Sequence, residues 1–409
     1  MKYFITILFL YPILLSGQIK GDYIWIGGFQ THDNLIDRIG FVFDFNNKPM
    51  SIDSQKLTYG LDRNVASICD EDGNLLFYTN GRGILNADHQ LMPNGDSINW
   101  GLFTEFAWPT LGNGYPGPQD VIILPDPGYK NGYYLLHKYI DLVLDGTNPR
   151  ELWMSYIDMN KDNGNGDVVF KDQVFFNEQK LLASYLTAIR HNNGNDWWII
   201  QPVVEDSVFV TFILDDTGIH RVDDQSSRFF FDLERSSASG TAKFCPDGSR
   251  YAIYNYYDQL HVYDFDRETG ELSNHRMIEI YDPDEIDREI INFGSVEWSP
   301  NGRFIYCASS EDLFQVDTWE ENIQDGVRHI DTYDGTRDPF QTRLFLMVQA
   351  PDCKIYMTPA SGSYSLHVIN KPDELGTDCD FVQNGINLPN SNGGGLPNFP
   401  RFRVDEDEK

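Results

Sequence analysis

The chain reads as an all-β protein, a seven-bladed β-propeller of four-stranded antiparallel blades, on three observations. A hairpin built around a Pro-Asp-Gly turn recurs along the chain. Strand-like segments are left over at both ends, and long amphipathic helical periodicity is missing throughout. A supersecondary unit returning every fifty-odd residues is the signature of a propeller or solenoid.

The clearest hairpin is Phe244-Cys245-Pro246-Asp247-Gly248-Ser249-Arg250-Tyr251-Ala252-Ile253. Pro presets φ, Asp bonds its own backbone, and Gly takes the positive φ that closes the turn. Trp298-Ser299-Pro300-Asn301-Gly302-Arg303-Phe304 and Ala350-Pro351-Asp352-Cys353-Lys354-Ile355 repeat it, with the prolines 54 and 51 residues apart. Looser copies sit at 68–78, 121–136 and 188–200, so there are six hairpins. Each is followed by a strand ending in a polar turn, such as Leu260-His261-Val262-Tyr263 before Glu268-Thr269-Gly270, and then by a less regular strand. That makes a four-stranded blade. Strands at 23–29, 39–45 and 51–59 precede the first hairpin, and 396–402 follows the last. Together they make the seventh blade, closed by strands from both termini, which pairs edges that an open sheet would expose. Only 284–291 and 317–326 read as brief helical turns.

Composition supports this class. The 409 residues include 34 Gly and 20 Pro, many in Asn-Gly and Asp-Gly pairs, and 41% hydrophobic residues are enough for a large core. The net charge of −31, from 31 basic and 62 acidic residues, argues against general binding to nucleic acid or anionic lipid. Residues 1–17 carry Lys2, an apolar run over 3–15 and Ser16-Gly17, the pattern of a cleaved secretory signal. That run is short for a transmembrane helix, and no later segment of the mature chain could span a bilayer. The domain layout expected is a signal at 1–17, one propeller over 18–403 and an acidic tail at 404–409. Five cysteines at 69, 245, 307, 353 and 379 form neither a disulfide framework nor a metal-ligand spacing. Cys353 stands where the turn calls for Gly.

Several blocks resemble a secreted propeller module of Bacteroidota associated with type IX secretion, within the lactonase-like superfamily of Pro-Asp-Gly-hairpin propellers. They are Ala66-Ser67-Ile68-Cys69-Asp70 through Gly73-Asn74-Leu75-Leu76-Phe77-Tyr78-Thr79-Asn80-Gly81, Met92-Pro93-Asn94-Gly95, Arg190-His191-Asn192-Asn193-Gly194-Asn195-Asp196-Trp197-Trp198-Ile199, Tyr263-Asp264-Phe265-Asp266-Arg267-Glu268-Thr269-Gly270 and Gly395-Leu396-Pro397-Asn398-Phe399. The resemblance covers about 23–403 and implies export or surface display, with no assigned reaction. The family's C-terminal sorting domain is missing before Lys409, so the periplasm is the alternative location.

Two stretches could carry chemistry. Asp158, Asn160 and Asp162, ahead of Gly164 and Gly166, place oxygens at alternate positions as a calcium loop does. No Glu closes the loop, so a Gly-rich turn is the other reading, and calcium is the one cofactor expected if there is any. The insertion at 99–119 gathers Trp100, Phe103, Trp108 and Tyr115, flat apolar surfaces suited to a glycan or peptide. Its other reading is a cap that buries its own aromatics. No GxSxG, Walker loop or HExxH occurs, and adjacent acidic pairs such as Asp215-Asp216 would point to opposite faces of a strand. The expectation is a non-enzymatic module that binds a protein or carbohydrate at the cell envelope. The alternative is a lactonase-like hydrolase with a metal site at the channel mouth.

Overall fold

A computed structural model describes residues 19–29, 39–107, 114–140, 150–231, 240–282, 286 and 292–404. The expected signal (1–17), nearly all of the acidic tail and most of the helical reading at 284–291 lie outside them. One helical turn, Ile323–Gly326, falls within the other segment read as helical.

Seven antiparallel sheets form among the described residues with neighbouring strands in chain order, except that Gln225–Ser226 pairs back with Val208–Asp215. Blade 1 is Ile24–Gly27, Ile39–Asp44 and Ser51–Lys56, and blade 2 is Ala66–Cys69, Leu75–Thr79 and Ile84–Asn86. Blade 3 begins at Val121–Pro125 and ends with the long strand Asp167–Leu181, and blade 4 begins at Thr187–Arg190. Blade 5 is Gly240–Phe244, Arg250–Asn255, Gln259–Phe265 and Leu272–Ile278. Blade 6 begins at Gly294–Trp298, and blade 7 runs from Leu344–Gln349 to Phe381–Asn392. The first strands of blades 1, 2, 5 and 6 are buried at every position, because adjacent blades cover both their faces. Outer strands such as Ser51–Lys56 are largely exposed.

The repeated hairpin adopts the geometry its residues dictate. Gly248 and Gly302 take φ of +73° and +69°, and Asp247 Oδ1 accepts from Ser249 N at 3.0 Å as Asn301 Oδ1 does from Arg303 N at 2.9 Å. Cys353 holds the same left-handed position at φ +64°. No disulfide joins any of the five cysteines.

The ring closes between blades 7 and 1 through an aromatic seam. Trp25 lies 4.9 Å from Phe45 and 5.9 Å from Tyr356 between ring centroids, with Phe41, Phe43, Leu366 and Val368 buried around them. The count of seven blades is as the sequence predicts, but the C-terminal share of the closure takes another form. Residues 396–402 do not join the sheet of blade 1, which contains N-terminal strands alone. They run down the central channel, with isolated parallel bridges from Pro397 to Val65 and from Arg401 to Ile189. The physical reason is hydrogen-bond supply at the axis. Asn398 N donates to Val65 O at 2.8 Å, and its Nδ2 donates to Val121 O and Leu186 O, both at 3.0 Å. Arg401 N donates to Ala188 O at 3.0 Å, while its guanidinium reaches Phe244 O at 2.9 Å and Gln349 Oε1 at 2.7 Å. One segment thus ties blades 2, 3, 4, 5 and 7.

Replacing Cys353 by Gly removes a Cβ from a left-handed residue, which costs roughly 1–2 kcal/mol, less Gly's extra unfolded-state entropy. Denaturant unfolding of Cys353→Gly is expected to show a gain on the order of 0.5–1 kcal/mol, and a loss would contradict this account of the turn.

Candidate functional site

The hairpin turns define the lower face of the propeller, and the links between blades define the upper one. On the upper face the connection from blade 1 to blade 2 carries Asp62, Arg63 and Asn64. The descending C-terminal segment touches it through two glycines, Gly393 and Gly395. A Cβ at Gly395 would sit 2.1 Å from Asp62 O, and one at Gly393 would sit 3.1 Å from Asp62 Oδ1. The glycines therefore permit close backbone approach and are not a loose linker.

Arg63 is held over the rings of Phe293 at 5.3 Å and Phe345 at 5.9 Å, and donates to Ala360 O at 3.3 Å. Asp62 is half-buried, and desolvation raises its pKa to about 6 against the opposing pull of Arg63. Asn64 is fully buried, yet neither its Oδ1 nor its Nδ2 has a hydrogen-bond partner among the described residues. A buried unpaired amide calls for a water or a ligand. Beside it, burial lowers the pKa of Arg82 while the Tyr115 and Tyr59 hydroxyls oppose that. The mouth thus offers one carboxyl poised to exchange a proton near neutrality, the Arg63 guanidinium and a hydrogen-bonding amide, with Arg82 buried behind them.

Below this mouth the described residues 396–402 occupy the axis. A cavity of about 30 Å³, the room of a single water, remains among Asp22, Lys243, Glu297, Gln349, Arg401 and Arg403. Lys243 and Arg401 both have pKa values lowered by burial, with Glu297 offsetting that at 3.6 Å and 3.5 Å.

The predicted recognition residues separate. Trp100 is 42% exposed on the upper face, and Leu102 beside it is 50% exposed. Trp100 Nε1 donates to Glu105 Oε1 at 3.0 Å. Phe103 is half-buried and packs edge-on against Tyr115 at 5.8 Å. Tyr115 is only 1% exposed, and its hydroxyl accepts from Ile140 N at 2.7 Å, so it anchors the insertion. Trp108 lies outside the described residues.

In the candidate calcium loop one Asp158 oxygen and the Asn160 amide oxygen already accept hydrogen bonds. Asp158 Oδ1 accepts from Asn160 N at 2.9 Å, and Asn160 Oδ1 accepts from Asn131 Nδ2 at 2.9 Å. Asp162 opens a single helical turn at φ +46°. Among the described residues no group of three or more His, Cys, Asp or Glu is placed to hold a metal.

Two other places have shape or chemistry but not both. His137 Nδ1 meets Asn99 Oδ1 at 2.7 Å and its Nε2 meets Ser155 Oγ at 3.0 Å, a line of groups like that of a serine nucleophile. All three residues are fully buried, and burial pushes the His137 pKa down to about 3, so the network pins the insertion to blade 3 as a neutral structural contact. A concavity of about 680 Å³ opens beside the lower hairpins of blades 2 and 3, over Leu76 and Tyr133. Two of its rim carboxylates are already used. Asp70 Oδ1 accepts from Asp72 N and Asn74 N at 2.9 Å and 2.8 Å, and Asp126 Oδ2 accepts from the Tyr156 hydroxyl at 2.6 Å.

Known structures share this architecture. A protein of Bacteroides uniformis, provisionally named a 6-phosphogluconolactonase, superposes with a TM-score of 0.53 at 12% identity, covering 91% of this chain and 98% of its own. A protein of Lactobacillus plantarum matches with a TM-score of 0.52 at 10% identity, over 92% and 99% of the two chains. At such identity the likeness shows the fold alone, a β-propeller. No family model and no curated protein matches the chain.

Two outcomes follow from this geometry. Because the folded Asp62 pKa lies above its unfolded value, the native state binds the extra proton between pH ~4 and 6, and stability falls as pH rises through that window. Asp62→Asn is expected to unfold later than the parent at pH 8, by on the order of 1 kcal/mol for a half-buried group, with the difference vanishing below pH ~4. Equal stabilities at pH 8 would contradict the buried-charge account. Calcium addition is expected to leave the melting temperature unchanged, since the Asp158 and Asn160 oxygens are engaged; a rise that grows with calcium concentration would restore the ion loop.

Proposed function

We propose that this protein is an exported β-propeller that works without catalysis, binding a protein or a glycan of the cell envelope on its upper face. The observation that carries this reading is the filled axis. The chain's own 396–404 segment leaves a cavity of about 30 Å³ where a propeller enzyme would need a chamber, while Trp100 and Leu102 stand exposed on the insertion above. Exposed aromatic and aliphatic side chains on a loop held by a rigid scaffold suit recognition. The apolar run at 3–15 behind Lys2 supports export, and the resemblance to the type IX-associated module supports display at the surface. Calcium plays no part in this reading.

Asp62 favours a second reading, hydrolysis of a lactone at the upper mouth. Its raised pKa suits a general base, with Arg63 beside it to meet an anionic substrate. The name of the Bacteroides uniformis protein indicates the substrate to assay, 6-phosphogluconolactone.

Binding to a glycan array and to solubilised envelope proteins is expected to weaken by about tenfold or more in Trp100→Ala/Leu102→Ala, as loss of an interface anchor does. Undiminished binding by that variant would remove the insertion from the account. Turnover of the lactone that disappears in Asp62→Asn would replace the binding reading with the hydrolytic one.

A further inference from the structure

Blades 4 and 5 meet at the rim in a second polar concavity, of about 420 Å³, remote from the channel mouth. Arg228, Asn274, Ser226 and Ser273 surround it, and His275 forms part of its wall. Arg228 is exposed and has no carboxylate within ion-pair distance among the described residues. Arg228 also holds a left-handed φ of +64°, strained for a side chain of its size. Its loop is fastened on both sides: Ser227 N donates to Ser207 O at 2.9 Å, Ser227 Oγ donates to Phe229 O at 2.6 Å, and the Tyr263 hydroxyl donates to Ser227 O. Gln225 ties the two blades together behind it, accepting from Leu272 N at 2.7 Å and donating to Gly270 O at 2.8 Å.

The histidine is set up with equal definition. His261 Nε2 lies 2.8 Å from Asp258 O, a carbonyl that can only accept, so that nitrogen carries the proton. His261 Nδ1 is then an acceptor, and His275 Nε2 donates to it at 2.8 Å. The ring nitrogen of His275 left to gain a proton is therefore Nδ1. The rings of Phe229, His261 and His275 lie nearly parallel, with Phe229 and His261 centroids 3.6 Å apart and those of His261 and His275 5.1 Å apart. Tyr263 lies against His275 at 4.8 Å. Around His275 the charged and titratable groups are Arg228 from the blade 4 side, His261 and Tyr263 from the neighbouring strand, and Arg276 on its own strand. Arg276 is paired with Asp264, which also accepts from Asn274 Nδ2 at 2.8 Å.

We propose that this concavity is a binding site for a tetrahedral oxyanion, a sulfate or phosphate group free or esterified to a sugar, held by Arg228, Asn274 and the flanking hydroxyls and taken up together with a proton on His275. In the free protein, burial and then Arg228 and Arg276 lower the His275 pKa, so the ring is neutral at pH 7. An anion between Arg228 and His275 reverses the repulsive contribution and favours the imidazolium. Affinity accordingly rises as pH falls toward the free protein's pKa and levels off below it. This reading does not depend on what the upper face binds.

Inorganic sulfate is the probe, because its charge does not change across the pH range. Isothermal titration at low ionic strength is expected to show sulfate binding that strengthens by about fivefold to tenfold between pH 7.5 and 5.5, with proton uptake visible as a dependence of the heat on buffer ionisation. Arg228→Gln, an exposed substitution, is expected to weaken binding by about fivefold or more at either pH. His275→Asn should retain weak binding and lose the pH dependence. Glucosamine 6-sulfate and glucose 6-phosphate, titrated at pH 5.5, distinguish the two ester sources, and the tighter one identifies the group the site takes. Sulfate binding unchanged in Arg228→Gln, or absent from the parent protein at pH 5.5, would overturn the site. An undiminished pH dependence in His275→Asn, checked as folded by its thermal melt, would overturn the proton coupling.

Discussion

The structure depends on a single segment of extended chain in the axial channel. A propeller's blades pack chiefly against their neighbours, so nothing in that arrangement alone links blade 2 to blade 5 across the axis. Residues 393–404 provide the link. Asn398 bonds to acceptors in blade 3 and in the turn before blade 4, while Arg401 spans blades 4, 5 and 7. Phe399 and Phe402 add ring contacts to Trp25 at 6.0 Å and Trp197 at 5.8 Å. Each such buried hydrogen bond contributes about 1 kcal/mol net, but an acceptor left without its donor costs more than that. The charges follow the same logic. Glu297 lies between Lys243 and Arg401 and accepts from Gln349 N at 3.2 Å, a buried arrangement that fixes geometry more surely than it adds stability.

In the proposed reading, an occupied axis directs function to surfaces. The upper mouth retains Asp62, Arg63 and Asn64, with Asp62 and Arg63 packed against Gly393 and Gly395 of the segment that descends into the axis. The insertion raises Trp100 above that face, and the rim between blades 4 and 5 carries Arg228, which has no ion-pair partner among the described residues. All three lie on connections or outer edges, where a rigid repeat can vary without loss of its core. The strongly acidic surface adds a long-range repulsion of anions, screened within about 8 Å at physiological salt, so an anion site must work through short-range contacts.

The blades were legible because their determinants are local. Pro246-Asp247-Gly248 and its copies encode φ values and a side-chain bond within four residues, and the structure reproduces them down to Cys353 in the glycine position. The axial segment was not legible. Extended chain in a channel and extended chain in a sheet share the same backbone region and the same apolar spacing, so Leu396 to Phe402 reads as a strand in either setting. The insertion was half legible: its aromatics were visible, but whether each faces solvent depends on partners such as Ile140 N, which claims the Tyr115 hydroxyl. Asp62 and Gly393 are neighbours only in space. The His261–His275 pair likewise forms across a strand bulge, a register detail that histidine spacing does not reveal.

The central claim is that residues 396–404 are a built part of the core, and amide hydrogen exchange tests it most directly. Asn398 N–H and Arg401 N–H bond to Val65 O and Ala188 O at 2.8 Å and 3.0 Å within the channel. Both amides are predicted to exchange only with global unfolding, as slowly as the inner strand Gly240–Phe244 and with the same denaturant dependence. Rapid, denaturant-independent exchange at those two amides while the inner strands stay protected would show a segment that leaves the channel freely, and would contradict the account.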